Sequence, residues 1–542
     1  MPTVWINNRE VEIPAGRQFN GIEAARLAGV EIPHYCWHPG LSVVGSCRMC
    51  LVEVGSRCPN TGKITMRPKL EPACSLTVAD DMVLVTDSER VAQARAMVEE
   101  GLLLRHPIDC PICDKAGECQ LQDYHFQYGQ AERRADLRPF ASRRRDLGDV
   151  TLFVDRCVMC SRCVRFVREI SGTAELMVTG RGAGEEIDVV PDFPLNNNMS
   201  GNVVDLCPVG ALGDKDFLYQ QRVWFLRKHE GICTGCSSGC SIWIEENQDR
   251  IHRIRPRENP RVNKWWICND GRYSYPHVHD PRRLTWPLGP NRTATDWSVL
   301  PRELHRSLGE AGRLAAVVSP HLTVEEAFLL CTLITNIDKE AILGIGPVPT
   351  AGRDEHFHGG FTIRAEKCPN RRGVEEVVAH FAHRVLPFEE LLPELDRGAV
   401  HGVWVSGGYR NDWIDAATAR RFERLKLLVV QDMFASPLSE RATHMLPGAA
   451  SAERDGSYVN CADRLHSASW AIRPPVGVRT EGSLLWDLLG RKGLYNAHAV
   501  LEEVAREISY FSAIVGPVPE IGIDLRSNLL AEGARRNIIT DA

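Results

Sequence analysis

The chain lacks several features that would assign it to common classes of protein. No apolar run approaches the ~18 residues that a membrane-spanning helix requires. The opening stretch, MPTVWINNREVEIPAG, carries charges where a secretory signal peptide would have its apolar segment. The net charge of −6 gives no reason to expect nucleic acid as a partner. We therefore expect a chain in the cytosol or facing a similar compartment, with any membrane association made through partners.

The half beyond about residue 280 also lacks the motifs of nucleotide binding and covalent catalysis. No G-x-G-x-x-G opens a helix there, and neither a P-loop nor a G-x-S-x-G serine elbow occurs. Buried strands such as RLAAVVSP and KLLVVQDMF alternate with helical segments such as TVEEAFLLCTLITN, which begins with a capping box. This alternation predicts a doubly wound parallel sheet without chemistry of its own.

Cysteine is abundant only in the first half. The chain has 19 cysteines, and sixteen of them lie between Cys36 and Cys268. Disulfide scaffolds are typical of small secreted domains, and nothing here indicates secretion. Clustered cysteines in a reducing compartment are more often metal ligands, so metal sites are predicted.

At 542 residues the chain is also too long for one core, and three to five domains are expected.

The first set of candidate ligands lies in a predicted β-grasp ferredoxin. Two strands that meet at an Asn7-Asn8 turn precede a helical segment and a loop with three cysteines. These are Cys36, Cys47 and Cys50. A C-x2-C pair with one cysteine before it and another after it is a [2Fe–2S] arrangement. The fourth ligand has two candidates, Cys58 in a predicted exposed hairpin and Cys74 before the strand MVLVT, and we favour Cys74.

The second set is the stretch HPIDCPICDKAGECQLQ. Its thiols are Cys110, Cys113 and Cys119. Three thiolates are one short of the set that a tetrahedral or cubane site needs, so we predict His106 as the fourth ligand. The preceding helix would stop at Pro107 and deliver the imidazole to the loop. Thr86 and Glu89 have the spacing of its capping box. Its apolar face is predicted to contain Val91, Ala94, Val98 and Leu102.

Two further sets consist of cysteines alone. The third is CVMCSRC followed by a distant Cys-Pro, which is half of a bacterial ferredoxin motif and predicts one [4Fe–4S] cluster. Its ligands would be Cys157, Cys160, Cys163 and Cys207. The fourth is CTGCSSGC, closed by a cysteine in NKWWICNDGRYSY, and it again supplies four thiolates. Its ligands would be Cys233, Cys236, Cys240 and Cys268.

The order of these motifs resembles that of the large iron–sulfur subunit in the peripheral arm of respiratory complex I, the proton-pumping NADH:quinone oxidoreductase. The resemblance rests on PHYCWHPGLSVVGSCRMCLVEV, HPIDCPICDKAGECQLQ, DRCVMCSRCVRF, DLCPVGAL and CTGCSSGC with WWICNDGR, within roughly residues 1–275. Beyond them, only KCPNRRG and LPGAASAERDGSYVN resemble the family's molybdopterin-oxidoreductase-like domain, and that part looks shorter than usual.

The resemblance implies a function and a cofactor content. It implies one [2Fe–2S] cluster on the first set and one [4Fe–4S] cluster on each other set, the fourth being found in only some members. The chain would relay electrons from the NADH-oxidising flavoprotein subunit towards quinone, alongside other peripheral-arm subunits. It would lie peripherally on the cytoplasmic side of the cell membrane, attached through the complex. No flavin, no molybdenum and no catalysis by the isolated chain are expected.

The expected fold class is an α+β N-terminal half followed by an α/β domain with a doubly wound parallel sheet. Five segments are expected. They are a β-grasp [2Fe–2S] ferredoxin domain at 1–85, a His/Cys3 [4Fe–4S] segment at 86–130, a [4Fe–4S] ferredoxin-like domain at 131–226, a molybdopterin-oxidoreductase-type [4Fe–4S] domain at 227–282, and a truncated, apo molybdopterin-oxidoreductase-like domain at 283–542.

Four rival interpretations fit part of the pattern. A molybdenum formate dehydrogenase would resemble C-x-K-G-R where this chain has Asp270, and it needs a cysteine or selenocysteine beside histidine, which Cys331, Cys368 and Cys461 do not provide. An iron-only hydrogenase would carry a second C-x2-C-x2-C motif, which this chain lacks. A zinc scaffold fits poorly, because zinc sites favour C-x2-C pairs over triples. A diaphorase-type iron–sulfur subunit of a soluble NAD-linked hydrogenase or formate dehydrogenase remains the alternative.

Overall fold

The structure is a computed structural model that describes residues 2–132, 134, 136, 143–382 and 384–526. The chain forms two compact units. Unit 1 comprises Met1–Leu226 with Phe357–Gly360, and unit 2 comprises Arg227–His356 with Phe361–Ala542. The division into five segments stays a prediction. Within the described residues, no helix is both long and apolar enough to cross a membrane.

Unit 1 contains eleven strands and five α-helices among its described residues. The strands are β1 Thr3–Ile6, β2 Arg9–Glu12, β3 Leu51–Arg57, β4 Ile64–Met66, β5 Glu71–Pro72, β6 Met82–Val85, β7 Arg144–Asp146, β8 Val150–Phe153, β9 Leu176–Thr179, β10 Glu186–Val189 and β11 Leu212–Asp214. The helices are α1 Gly21–Leu27, α2 Glu89–Leu103, α3 Gln120–Tyr128, α4 Arg162–Glu169 and α5 Asn202–Leu206. Short 3₁₀ turns cover Ala73–Ser75, Cys110–Ile112, Val154–Arg156, Gly182–Gly184 and Val223–Phe225.

The first sheet confirms the predicted β-grasp domain. Its strand order is β2-β1-β6-β3-β4, with β5 paired to β3, and β1 runs parallel to β6. The hairpin turn uses Asn7 and Asn8, both at positive φ, as the two-residue turn between twisted strands requires. Helix α1 begins in a capping box between Asn20 and Glu23, and it packs its apolar face on the core of the sheet.

Helix α2 differs from its prediction in two respects. Its N-cap is Ser88, whose hydroxyl accepts from Val91, so the predicted capping box at Thr86 is wrong. The hydroxyl of Thr86 instead accepts a hydrogen bond from the side chain of Asn7 at 2.7 Å. The buried face of the helix is also mixed, because Arg95 and Glu99 are buried. Glu99 accepts a 2.5 Å hydrogen bond from the hydroxyl of Tyr35, which stands beside the first cysteine.

Unit 2 contains thirteen strands and eight α-helices among its described residues. The strands are β12 Arg227–Ile232, β13 Ser241–Asn247, β14 Arg250–Pro256, β15 Leu314–Val318, β16 Ile342–Ile345, β17 Glu355–His356, β18 Thr362–Ile363, β19 Gly402–Ser406, β20 Leu427–Asp432, β21 His444–Pro447, β22 Gly456–Val459, β23 Arg464–Ala468 and β24 Ile523–Asp524. The helices are α6 Asn269–Arg272, α7 Leu300–Ala311, α8 Val324–Ile337, α9 Arg371–Ala382, α10 Phe388–Asp396, α11 Ala416–Arg420, α12 Glu481–Leu488 and α13 Ala497–Glu507. Its 3₁₀ turns are Tyr275–His279, Pro290–Arg292, Ser439–Arg441, Ser451–Glu453 and Ser509–Phe511.

The larger sheet of unit 2 confirms the predicted doubly wound parallel architecture. Its order is β16-β15-β19-β20-β21, and every pairing is parallel. Alternate residues of β15 enter separate apolar cores, with Ala316 and Val318 in one and Ala315 and Val317 in the other. Helices cover both faces of the sheet, so its strands are buried on both sides. Helix α8 begins in the predicted capping box of Thr323–Glu326.

Candidate metal centres

The structure gathers four thiols of the first set in the β-grasp domain. Hydrogen bonds from Cys47 and Cys74 lower the pKa of Cys36, and a hydrogen bond from Cys74 lowers the pKa of Cys50. Backbone N–H groups of Ser46 and Cys47 also point at the Cys36 sulfur. The loop can wrap this closely because Gly45 adopts a φ of +62°, which side-chain-bearing residues disfavour. The arrangement favours the thiolate form at Cys36 and Cys50, whereas the pKa values of Cys47 and Cys74 are raised because their thiols donate to these sulfurs and are buried.

The other candidate for the fourth ligand lies apart from this group. Cys58 is exposed at the end of β3, in the hairpin that β3 forms with β4, and a hydrogen bond with Thr61 lowers its pKa. Cys74 is only 1% exposed, in a 3₁₀ turn whose Ala73 N–H donates to the carbonyl of Cys50 at 2.9 Å. The geometry thus groups the favoured cysteine, and not its rival, with the loop thiols.

Three members of the second set line an apolar cavity at the end of α2 and the start of α3. The cavity has a volume of about 540 Å³, and its lining includes His106, Cys110 and Cys119. Burial lowers the pKa of His106 to about 4, with help from the nearby Arg156. The ring of His106 also has a hydrogen-bond contact with the Arg156 carbonyl, while its Nδ1 is buried and has no hydrogen-bond partner among the described residues. The imidazole is therefore neutral and has a ring nitrogen available to a metal.

Two thiols of this set are buried. Burial raises the pKa of Cys119 to about 11, and it also raises the pKa of Cys113. The N–H groups of Leu121 and Gln122, in the first turn of α3, point at the Cys119 sulfur and oppose this shift. Such N–H contacts stabilise a sulfur that carries negative charge.

The third set lies around the start of α4. Burial is the main cause that raises the pKa of Cys157 and of Cys163, and the pKa of Cys160 rises to about 11. Neighbouring thiolates add to each shift, and Cys207, at the end of α5, is among the neighbours of all three. The distant Cys-Pro cysteine is thus brought to the triple, as the motif predicts. The backbone reverses within the motif at Met159 and Ser161, which both adopt positive φ.

The fourth set lies in unit 2, at the end of the β12–β13 hairpin. Cys233 follows β12, Cys240 precedes β13, and Cys268 caps α6, whose Gly271 N–H donates to its sulfur at 3.3 Å. Burial raises the pKa of all three thiols, and thiolate neighbours including Cys236 add to the shift. The fold therefore brings together all four members of the set.

A buried arginine of unit 2 lies close to the fourth set. The guanidinium of Arg410 donates a hydrogen bond to the hydroxyl of Thr234 at 2.5 Å, and it borders the same small cavity as Cys233. Burial lowers its pKa, whereas the thiolates of the set oppose that change. Asp270, which stands where the molybdenum enzymes would have lysine, forms a 3.8 Å ion pair with Lys367.

Two buried arginines on α4 join the first set to the third. Arg162 donates to the carbonyl of Trp37 at 2.7 Å and to the carbonyl of Leu206 at 3.2 Å. Arg165 donates to the carbonyl of Cys36 at 2.5 Å and to the carbonyl of Cys160 at 3.2 Å. Because α4 starts inside the third motif, these hydrogen bonds join the loop of the first set directly to the third set.

The second set is joined to the third through different contacts. Arg156, one residue before Cys157, donates twice to the carboxylate of Asp109, one residue before Cys110, at 2.9 and 3.0 Å. A Cβ built on Gly210 would clash with the Cys113 sulfur, so only glycine fits there. The third set is thus linked to both the first and the second.

Sequence reasoning missed these connecting arginines. The segment DRCVMCSRCVRF alternates cysteines with Arg156, Arg162 and Arg165, and that alternation was the available signal. Arginine is almost never fully buried unless it is paired. Arginines inside a ligand motif therefore predict a negative charge close to them.

The donor sets fit iron–sulfur clusters. Among the residues that the structure describes, no three His, Cys, Asp or Glu side chains form a group that could hold a single metal ion. The thiolates around a [4Fe–4S] cubane each bind a different iron, so they need not converge on one point. The buried or half-buried thiols of the four sets are the ligands that such clusters take, and N–H groups aimed at sulfur stabilise their negative charge. The Nδ1 of His106, which has no hydrogen-bond partner among the described residues, is a further candidate ligand.

Four family profiles match the same segments of the chain. They are the 2Fe-2S iron-sulfur cluster binding domain at residues 2–89, the NADH-ubiquinone oxidoreductase-G iron-sulfur binding region at 95–134, the NADH-quinone oxidoreductase subunit 3 ferredoxin-like domain at 149–213, and the molybdopterin oxidoreductase Fe4S4 domain at 226–280. Over these segments the chain is similar to the family of large iron–sulfur subunits of NADH-quinone oxidoreductases. Domains of both the [2Fe–2S] and the [4Fe–4S] type are therefore present.

Curated relatives agree with this family. The chain is 36% identical over 350 residues to the 78 kDa subunit of mitochondrial NADH-ubiquinone oxidoreductase of Candida albicans, covering 62% of this chain and 47% of that protein. It is 35% identical over 350 residues to the 75 kDa subunit of NADH-ubiquinone oxidoreductase of Reclinomonas americana, covering 63% and 49%. The chain spans about half the length of these relatives. A structure of NAD+-reducing [NiFe]-hydrogenase aligns with a TM-score of 0.34 at 26% identity, covering 41% of this chain and 91% of that chain.

Proposed function

We propose that this chain is the electron-transferring large iron–sulfur subunit of an NADH:quinone oxidoreductase. Its role would be to pass electrons from an NADH-oxidising flavoprotein subunit through iron–sulfur clusters towards quinone. The single observation that carries the proposal is the position of the third thiol set, which contacts the first set through Arg162 and Arg165 and the second through Arg156. Adjacent sets in one unit provide the short steps that single-electron transfer needs.

The residues of the chain would hold the clusters, and bound clusters would supply one-electron redox chemistry. Cys36, Cys47, Cys50 and Cys74 would hold [2Fe–2S]. Three [4Fe–4S] sites would use His106 with Cys110, Cys113 and Cys119; Cys157, Cys160, Cys163 and Cys207; and Cys233, Cys236, Cys240 and Cys268. The protein excludes water from the mostly buried sulfurs and directs N–H groups at them, which stabilises their negative charge.

We expect the purified, anaerobically prepared chain to contain about 14 irons, from one two-iron and three four-iron clusters. It should contain neither molybdenum nor flavin, because Asp270 replaces the lysine of molybdenum enzymes and no flavin motif occurs. Iron and acid-labile sulfide assays with elemental analysis give the answer. A value near 10 irons would mean that one four-iron site is misassigned, and stoichiometric molybdenum or tungsten would contradict an apo C-terminal domain.

The function itself is tested by the route of reduction. NADH alone should leave the clusters of the full chain oxidised, because the sequence shows no dinucleotide-binding motif of the G-x-G-x-x-G type. Addition of the NADH-oxidising flavoprotein subunit should then bleach the visible absorbance of the clusters. Dithionite serves as the control that the clusters are competent. Reduction by NADH without the flavoprotein, or failure of the two proteins together, would contradict the proposed role.

The cellular position follows from the same role. A subunit that receives electrons from NADH in the cytosol and delivers them towards a membrane quinone would lie peripherally on the cytoplasmic side of the membrane. Its attachment would be made by other peripheral-arm subunits.

A further inference from the structure

Arg165 occupies a special position between the first and third thiol sets. One guanidinium nitrogen, Nη2, donates both to the carbonyl of Cys36 and to the carbonyl of Cys160, at 2.5 and 3.2 Å. The other, Nη1, donates to the carbonyl of Ser42 in the loop of the first set. Glu169, one turn further along α4, accepts from the N–H and hydroxyl of the same serine at 2.8 and 2.5 Å. A single side chain therefore bonds to a ligand residue of each set.

We propose that Arg165 couples the redox centres of the first and third sets, as a positioning residue that fixes their separation and as a shared cation that favours their reduced states. The inference rests on the proposed function, since it requires clusters on both sets. It rests on contacts with the main-chain carbonyls of the ligand residues and not with their sulfur atoms. It assigns to one side chain two effects that separate experiments can measure.

Among the described residues, the two buried arginines of this helix hydrogen-bond to no carboxylate, and the carboxylate of Glu169 on the same helix accepts from Ser42 instead. Arg162 and Arg165 are only 5% and 8% exposed, and their hydrogen bonds go to main-chain carbonyls and to the hydroxyl of Ser161. These acceptors are neutral. A buried cation needs a compensating negative charge, and the nearby thiolates with their clusters would provide it.

This arrangement has a direct redox consequence. A cluster becomes more negative by one charge when it accepts an electron, so a buried cation beside it stabilises the reduced state and raises the reduction potential. In the transfer itself, one electron leaves the reduced centre of one set and reduces the oxidised centre of the other. No bond forms or breaks and no proton moves, because a guanidinium stays charged throughout. The doubly donated Nη2 also provides a short hydrogen-bonded connection between the two ligand residues.

Three variants of the full-length, cluster-loaded chain test the inference. Arg165→Gln removes the charge, Arg165→Lys keeps the charge but loses the fork of donors, and Arg168→Gln removes an exposed charge from the same helix as the control. Redox titration followed by electron paramagnetic resonance gives the midpoint potential of each cluster. Freeze-quenched samples taken after a substoichiometric pulse of reductant give the rate of transfer between the two clusters.

We expect Arg165→Gln to lower the midpoint potentials of the [2Fe–2S] cluster and of the third-set cluster together, with the second- and fourth-set clusters unchanged. Arg165→Lys should keep both potentials near those of the parent but slow the transfer between the two clusters. Arg168→Gln should change neither quantity. Unchanged potentials in Arg165→Gln, or an equal shift in Arg168→Gln, would overturn the inference.

Two other outcomes remain decisive. If Arg165→Gln loses a cluster, Arg165→Lys decides, since a transfer rate equal to that of the parent overturns the inference and a slower rate supports it. If the parent chain itself shows no cluster on the first or third set, the proposed function fails, and that failure is visible before any variant is compared.

Discussion

Replacing Cys74 by alanine is expected to abolish the [2Fe–2S] signal of the chain, whereas replacing Cys58 by alanine should leave it intact. Cys74 is buried and hydrogen-bonds to Cys36 and Cys50. Cys58 is exposed in a hairpin and bonds to Thr61 instead. A cluster that loses one of four thiolates becomes labile, because the exposed iron is open to water and exchange.

The measurement combines iron content with electron paramagnetic resonance of the dithionite-reduced protein. Cys74→Ala should lose about two of about 14 irons together with the [2Fe–2S] spectrum. Cys58→Ala is the matched control, since it removes the same side chain from the same domain. The opposite pattern, with the signal lost in Cys58→Ala and kept in Cys74→Ala, would show that the hairpin cysteine is the ligand.

Features that depend on neighbouring residues in the sequence were predictable. The Asn7-Asn8 turn, the capping box at Thr323 and the alternation of β15 with α8 all follow from residues a few positions apart. Short-range chemistry of this kind acts in the isolated segment, so its pattern is written locally. The spacing of the cysteines belongs to the same class, because each triple lies within one loop.

Features that depend on distant partners were not predictable. Thr86 has the spacing of an N-cap, yet its hydroxyl is taken by Asn7, nearly eighty residues earlier. Helix α2 buries Arg95 and Glu99, although charged side chains are usually exposed. Glu99 is stabilised there by Tyr35, although burial still raises the pKa of its carboxyl to about 7. Tertiary hydrogen bonds override local propensity at each of these positions.

The adjacency of the metal sites was hidden for the same reason. The chain order of the sets is first, second, third, but the contacts of Arg165 and Arg156 link the third to both of the others. Spacing can group cysteines into sets, but it contains no information on which sets face each other. The arginines inside the third motif carry that information, and it becomes interpretable only once their carbonyl and carboxylate partners are known.

His106 is expected to be an iron ligand of the second set. Its Nδ1 is buried without a hydrogen-bond partner among the described residues, and the low pKa of about 4 keeps the ring neutral at physiological pH. A buried nitrogen without a partner is costly unless something binds it. Contact with the carbonyl of Arg156 would orient the ring, as second contacts of metal-bound histidines do. His125 borders the same cavity, and its Nδ1 is likewise buried without a hydrogen-bond partner among the described residues, but that nitrogen lies against Gly129, so closely that a Cβ there would clash with it.

Three variants separate these histidines. His106→Ala should leave a three-iron or labile cluster on the second set and interrupt electron flow through it. His106→Cys should restore a four-iron cluster with a lower potential, because a thiolate adds one negative charge where imidazole adds none. His125→Ala is the matched control and should keep both the four-iron spectrum and its potential. If His106→Ala retains an intact four-iron signal at an unchanged potential, the fourth ligand lies elsewhere, and loss of the signal in His125→Ala would identify it.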